Sequence, residues 1–126
     1  MDGFVSCQIV MVIQLALMLL HQMDSTYFKE WDMLPLVRMG YTPFFLITVV
    51  LGATLVAGVV LLIYRHPAGL WASLVWGVLG LVVPAFHTYH YLRGTPAFRN
   101  FWSAALIYVT LINSVILIVF AGRALA

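Results

Sequence analysis

The chain has 126 residues, 64% of them hydrophobic and only 8% charged, with a mean hydropathy of +1.07, whereas soluble domains carry roughly 25% charged residues. That composition is a membrane protein's, and at roughly 20 apolar residues per span the length leaves no room for a separate soluble domain. A net charge of +2, with six Lys and Arg scattered at the ends of apolar runs, offers no basic stripe for nucleic acid. The single cysteine, Cys7, excludes chemistry that needs a dithiol pair.

The first apolar run covers residues 4–22. It is expected as a retained span, because the residues before it carry Asp2 and no Lys or Arg, and no small-x-small cleavage site precedes the polar HQMDS at 21–25. Residues 23–42 mix aromatic and charged side chains, the pattern of a short helix lying in the membrane interface. Further spans are expected at 43–64, 69–92 and 100–122. They are divided by RHPAG (65–69) and by RGTPAFRN (93–100), both carrying Pro and Gly. The expected fold is all-α: an integral membrane four-helix bundle, a single transmembrane domain, with a short interfacial helix between spans 1 and 2.

Lys29, Arg38, Arg93 and Arg99 fall in the two loops of one side, against Arg65 and Arg123 on the side of the termini. The positive-inside rule then places loops 23–42 and 93–100 in the cytoplasm and both termini outside, in a plasma (inner) membrane. On that cytoplasmic side His21 closes the first span, with Asp24 and Glu30 just beyond it, and His87 and His90 close the third. His66 sits at the opposite end, beside Pro67 in a turn, where a solvated loop histidine is expected.

Polar and small residues recur at helical spacing. With about 100° per residue, Gln14, His21 and Asp24 fall on one face of the first span. Ser73, Gly77, Gly80, Pro84 and His87 form a stripe on the third, where Pro84 frees the Gly80 carbonyl and marks a kink. Asn100, Ser103, Thr110 and Ser114 line a face of the fourth. Ala53, Thr54, Ala57 and Gly58 offer a small-residue contact face on the second. Trp31, Trp71, Trp102 and Tyr41 stand where interface anchors belong.

The segment HQMDSTYFKEWDMLPL (21–36) reads H-x-x-D-x-x-x-x-x-E-W, and FHTYHYLRGTPAFRNFWSAALI (86–107) supplies a histidine pair, a short loop, a Phe and a Ser that begins the last span. In these two blocks the chain resembles an uncharacterised family of small four-span membrane proteins, a domain of unknown function. The positions that the resemblance marks are His21, Asp24, Glu30, Trp31, His87, His90, Phe98 and Ser103. It implies the four-span fold and brings no activity with it.

Four readings of the ionisable cluster stay open. His21, Asp24, Glu30, His87 and His90 form an adequate ligand set for a divalent transition metal, since imidazole with carboxylate suits zinc, iron or manganese. The same residues suit metal-free acid/base catalysis on a small lipophilic molecule. His21 and Asp24 would then be base and orienter, Glu30 or His87 the acid, and Trp31 or Tyr89 the stabiliser of a developing cation. One histidine from each of spans 1 and 3 can ligate a single haem. Finally, the cluster can be a hydrogen-bonded belt that pins the helix ends of a non-catalytic structural or accessory subunit, in a membrane complex or a homo-oligomer within the lipid bilayer. A transporter is disfavoured, because the chain shows no inverted repeat.

Overall fold

The computed structural model describes residues 2–32, 40–94 and 100–126. Four long helices carry the fold: α1 Gly3–Tyr27, α2 Tyr41–Ile63, α3 Pro67–Leu92 and α4 Phe101–Leu125, with a 3₁₀ turn at Glu30–Asp32 between the first two. All four are long and apolar enough to cross a membrane, so the protein is an integral membrane bundle. Among the described residues, the segment expected to hold a short interfacial helix carries that 3₁₀ turn. Residues 33–39, with Arg38, lie outside the described residues, as do Phe98 and Arg99.

The helix starts follow local chemistry. Asp2 accepts the Phe4 N–H at 3.0 Å, Asn100 accepts that of Trp102 at 3.0 Å, and His66 accepts that of Ala68 ahead of Pro67. Each satisfies an N–H that the helix cannot pair internally. Asn100 is therefore a cap rather than a member of the inward face of α4. His66 is exposed, as expected, and also caps α3. Helix α1 continues well past residue 22 because neither Gly nor Pro interrupts the chain there.

The helices form a ring in chain order. Helices α2 and α4 each pack against both α1 and α3, while α1 and α3 face each other across the diagonal with little direct contact. A residue pointing inward from α1 therefore meets one from α3 near the bundle axis. Gly3 lies against Ala124, so both termini share one end; the last turns of α1 and α3 share the other.

The interior changes character along its axis. Towards the termini it is apolar, with Cys7, Met11, Leu62, Leu70, Leu117 and Ala121 in one cluster. At mid-depth it turns polar. Asn113 Nδ2 donates to Gln14 Oε1 at 2.7 Å and to the Val10 carbonyl at 3.2 Å, and Ser114 Oγ stands 3.5 Å from the same Gln14 oxygen. Helix α3 passes this knot through Gly80, where an added methyl would overlap the Ser114 hydroxyl. All five members of the predicted α3 stripe, Ser73, Gly77, Gly80, Pro84 and His87, are buried.

The small-residue face expected on α2 holds at Gly58 alone of its four members. Ala53, Thr54 and Ala57 are exposed, and beside Gly58 the helix buries Leu55 and Leu62. Gly58 lies against Met11 and Ala72, while the two leucines belong to the apolar cluster. Bulk to fill the corner decides the register, and small side chains turned to lipid forfeit nothing, since hydrocarbon tails are as apolar as a protein core.

Candidate metal centre

Beyond α1 the chain reverses sharply. Phe28 closes the helix with its N–H on the Asp24 carbonyl, and Lys29 takes a left-handed conformation at φ 53°. That conformation costs on the order of 1 kcal/mol for a residue other than glycine. Its effect is to fold Glu30 back under the last turn of α1. There Ser25 Oγ donates to Glu30 Oε2 at 2.7 Å. On the far side of Ser25, His21 Nε2 stands 3.4 Å from the same hydroxyl. Because the serine proton goes to the carboxylate, the His21 ring is placed to donate through Nε2.

His87 arrives from the diagonal helix. Its Nε2 lies 3.5 Å from Glu30 Oε2, and its ring meets that of His21 edge to face, with centroids 5.1 Å apart. One ligand atom from each of His21, Glu30 and His87 can be chosen so that all three lie within 4.8 Å of one another. Glu30, Ser25 and His87 are buried at 6%, 1% and 6% exposure. Burial pushes Glu30 towards its neutral form. The hydrogen bond and charge of His87, the Ser25 hydroxyl and the His21 charge outweigh it, and the carboxyl sits below its ordinary value of 4.5.

Of the five residues singled out in the sequence, the fold thus brings three together. Asp24 projects from the neighbouring position on α1, half-buried, with Oδ2 making no hydrogen bond among the described residues. His90 sits one turn beyond His87, its ring 4.5 Å from that of Phe86 and 5.3 Å from that of Tyr89. Neither belongs to the group of closely spaced ligand atoms. The residue that sequence reasoning missed is Ser25, whose signal was present: it follows His21 by four positions, one helical turn.

Does this set suit a metal ion? Two imidazoles and one carboxylate are the protein donors of open catalytic zinc sites and of non-haem iron sites. Tetrahedral zinc asks for ligand atoms about 3.3 Å apart, given bonds near 2.0 Å, so small side-chain rotations are needed to close the present spacing. His21 Nδ1 is buried without a hydrogen-bond partner among the described residues, and an orphaned ring nitrogen of this kind is what a ligand atom or a bound water would satisfy. The donors fit. Haem ligation between His21 and His87 would require their rings, which meet edge to face with centroids 5.1 Å apart, to separate.

A cavity of about 240 Å³ adjoins the cluster. Its polar wall is His21, Gln22, Ser25, Glu30 and His87, and its apolar wall is Phe44, Val82, Val83 and Phe86. Val82 is 59% exposed, so this wall of the chamber reaches the outer surface of the bundle.

These features define a class: a small helical membrane bundle with a histidine/carboxylate cluster buried at one end. The chain belongs to a family of unknown function, DUF6713, whose model matches residues 7–124 and so takes in both sequence blocks described above. No curated protein matches the chain, and no solved structure does.

Proposed function

We propose that the protein is a membrane metalloprotein in which His21, Glu30 and His87 hold a divalent transition ion, and in which that site acts on a small lipophilic molecule. The observation that carries the reading is the convergence of three donor atoms, from α1, the 3₁₀ turn and the diagonal helix α3, within 4.8 Å. Ser25 orients the carboxylate, as partners behind metal ligands commonly do. Asp24 and His90 are assigned to the surroundings, where they bias the local charge. When bound, the ion supplies Lewis acidity and a site for an activated water. The chain's own residues hold the donors in place and leave the cavity wall of Phe44, Val82, Val83 and Phe86 to receive an apolar group.

The charge distribution supports an orientation as well. In sequence, Lys29, Arg38, Arg93 and Arg99 fall in the two loops at the cluster's end, against Arg65 and Arg123 at the other; by that four-to-two excess the site belongs on the cytoplasmic face of the plasma (inner) membrane, with both termini outside.

A second reading rests on the Ser25–Glu30–His87 contacts. A carboxylate held in its charged form beside an imidazole moves protons without any ion, with Glu30 and His87 exchanging the proton and His21 assisting through Ser25. Elemental analysis of detergent-purified protein separates the two. Near-stoichiometric zinc, iron or manganese that disappears in His21→Ala and His87→Ala supports the metal centre. Folded, metal-free protein that also fails to take up added Zn²⁺ or Co²⁺ overturns it and leaves the proton-transfer reading.

A further inference from the structure

The inner cavity has a larger neighbour. A groove of about 530 Å³ runs on the outer side of the α1–α2 seam, lined by Leu19, Gln22, Met23, Thr26, Tyr27, Tyr41, Phe44, Phe45 and Thr48. Gln22 and Phe44 line both spaces. They are therefore a shared wall, with the buried His/Glu cluster on one side and the membrane surface of the bundle on the other. The wall is not continuous protein core. Among the described residues it is spanned by the Thr48 hydroxyl, which shares its proton between Gln22 Oε1 at 3.0 Å and the Phe44 carbonyl at 2.9 Å, and by the Phe44 ring, 5.6 Å from that of Trp31.

The two compartments differ in size and chemistry. Pockets that take a drug-sized ligand measure about 300–1,000 Å³; the inner cavity falls short of that range at 240 Å³ and the groove falls inside it at 530 Å³. The inner one presents two imidazoles, a hydroxyl and a carboxylate. The outer one presents mostly hydrocarbon and aromatic rings, with the exposed side chains of Tyr27 and Tyr41 at one end. Amphipathic rings at that level mark the boundary between headgroups and acyl chains.

From this juxtaposition we infer that the substrate is a single-chain membrane amphiphile, its compact polar head drawn to the His21–Glu30–His87 cluster and its hydrocarbon tail lying in the α1–α2 groove, with Gln22 and Phe44 as the side portal between them. This inference rests on the functional reading of the cluster and adds the substrate class and its route. The amphiphile comes directly from the bilayer, so no opening to water is required. The head exchanges water or headgroup contacts for the donors of the site, and the tail exchanges lipid for the groove. Affinity therefore resides mainly in the head, while the groove sets which molecules present that head correctly.

The test uses the full-length protein in lipid nanodiscs and a long-chain fatty acid carrying a photoactivatable diazirine on its tail. Crosslinked peptides are mapped by mass spectrometry, and metal uptake is measured separately with Co²⁺. The expected result is labelling of residues 19–27 and 41–48 exceeding that of the exposed α4 face around Ile112 by roughly tenfold, the ratio that 1.4 kcal/mol of discrimination produces. Labelling should be saturable by unlabelled fatty acid. It should fall towards background in Thr48→Trp, which fills the groove, and hold in Ile112→Trp, which does not. Even labelling over every lipid-facing helix, or groove labelling that unlabelled fatty acid cannot displace, means annular lipid only and overturns the inference. Because the wild-type labelling pattern decides by itself, a Thr48→Trp protein that fails to fold leaves the test intact. Selective groove labelling without Co²⁺ uptake would sustain the amphiphile site while removing the metal, and Co²⁺ uptake with even labelling would do the reverse.

Discussion

The knot of Gln14, Asn113 and Ser114 at mid-bundle and the cluster of His21, Ser25, Glu30 and His87 at its end, buried but for half-buried His21, both tie α1 to a helix or turn it must find in folding. They differ in what they are made of. The knot consists of neutral amides and a hydroxyl that bond one another, packed so closely against Gly80 that no methyl fits. The cluster consists of three ionisable side chains and a serine over a similar range of contact distances, with a left-handed residue beside it, a His21 nitrogen that has no hydrogen-bond partner among the described residues, and a cavity at its flank. A polar group inside a membrane bundle can serve packing or chemistry. Saturation of its hydrogen bonds, rather than burial, tells the two apart.

The sharpest way to break this contrast is to remove a ligand from the cluster. His87→Ala is expected to lower metal affinity by on the order of a thousandfold, about 4 kcal/mol, while the bundle keeps its helicity; equilibrium dialysis with Zn²⁺ and circular dichroism measure the two. Overfilling the knot should do the opposite. Gly80→Leu is expected to cost about 3 kcal/mol of stability by forcing α3 away from Ser114 and Gln14, measured by denaturant titration in mixed micelles. Equal effects of both substitutions on metal affinity would erase the distinction.

Smaller changes sharpen it. Ser25→Ala leaves the three donors in place and removes the hydroxyl that orients the Glu30 carboxylate, so metal affinity should drop by about 10–100-fold, with little change in unfolding. Asn113→Ala should lower stability by about 1 kcal/mol, within the range found for interhelical hydrogen bonds in membranes, and leave metal affinity unchanged. The pH dependence of stability is a further discriminator. Glu30 is held below its ordinary carboxyl value of 4.5, so its contribution is present above that value and is lost as pH falls through the lower folded one. Unfolding titrations of wild type and Glu30→Gln should accordingly converge as the medium is acidified below 4.5. The knot has no group that ionises in this range, so Asn113→Ala should show the same offset from wild type throughout.

Much of this architecture was legible from residue order. The α3 stripe from Ser73 to His87 is buried in full, because small residues at helical spacing can only be tolerated by, and are useful only to, a backbone that approaches closely. The α1 face was legible in part. Measured from Gln14, His21 lies about 20° to one side and Ser25 about 20° to the other, while Asp24 lies about 80° away. The buried partner is accordingly Ser25 and not Asp24. Reading the face by ionisable residues alone concealed a hydroxyl that the geometry already favoured. On α2 the pattern misled, since lipid and protein interior are nearly equivalent solvents for Ala53 and Ala57 and the sequence carries no penalty for facing either one.

Residue order by itself determined that this chain enters a membrane as helices and that its histidines and acids gather mainly at one end, because hydropathy over about 20 residues and the placement of Gly, Pro and charge act locally. Only the tertiary structure decided which of them meet. The ring arrangement sets α1 and α3 on a diagonal, so His21 and His87 converge on the bundle axis. The turn at Lys29 carries Glu30 back beneath them. Contacts between residues far apart in the chain depend on helix rotation and loop path, and these are settled by packing against every neighbour at once.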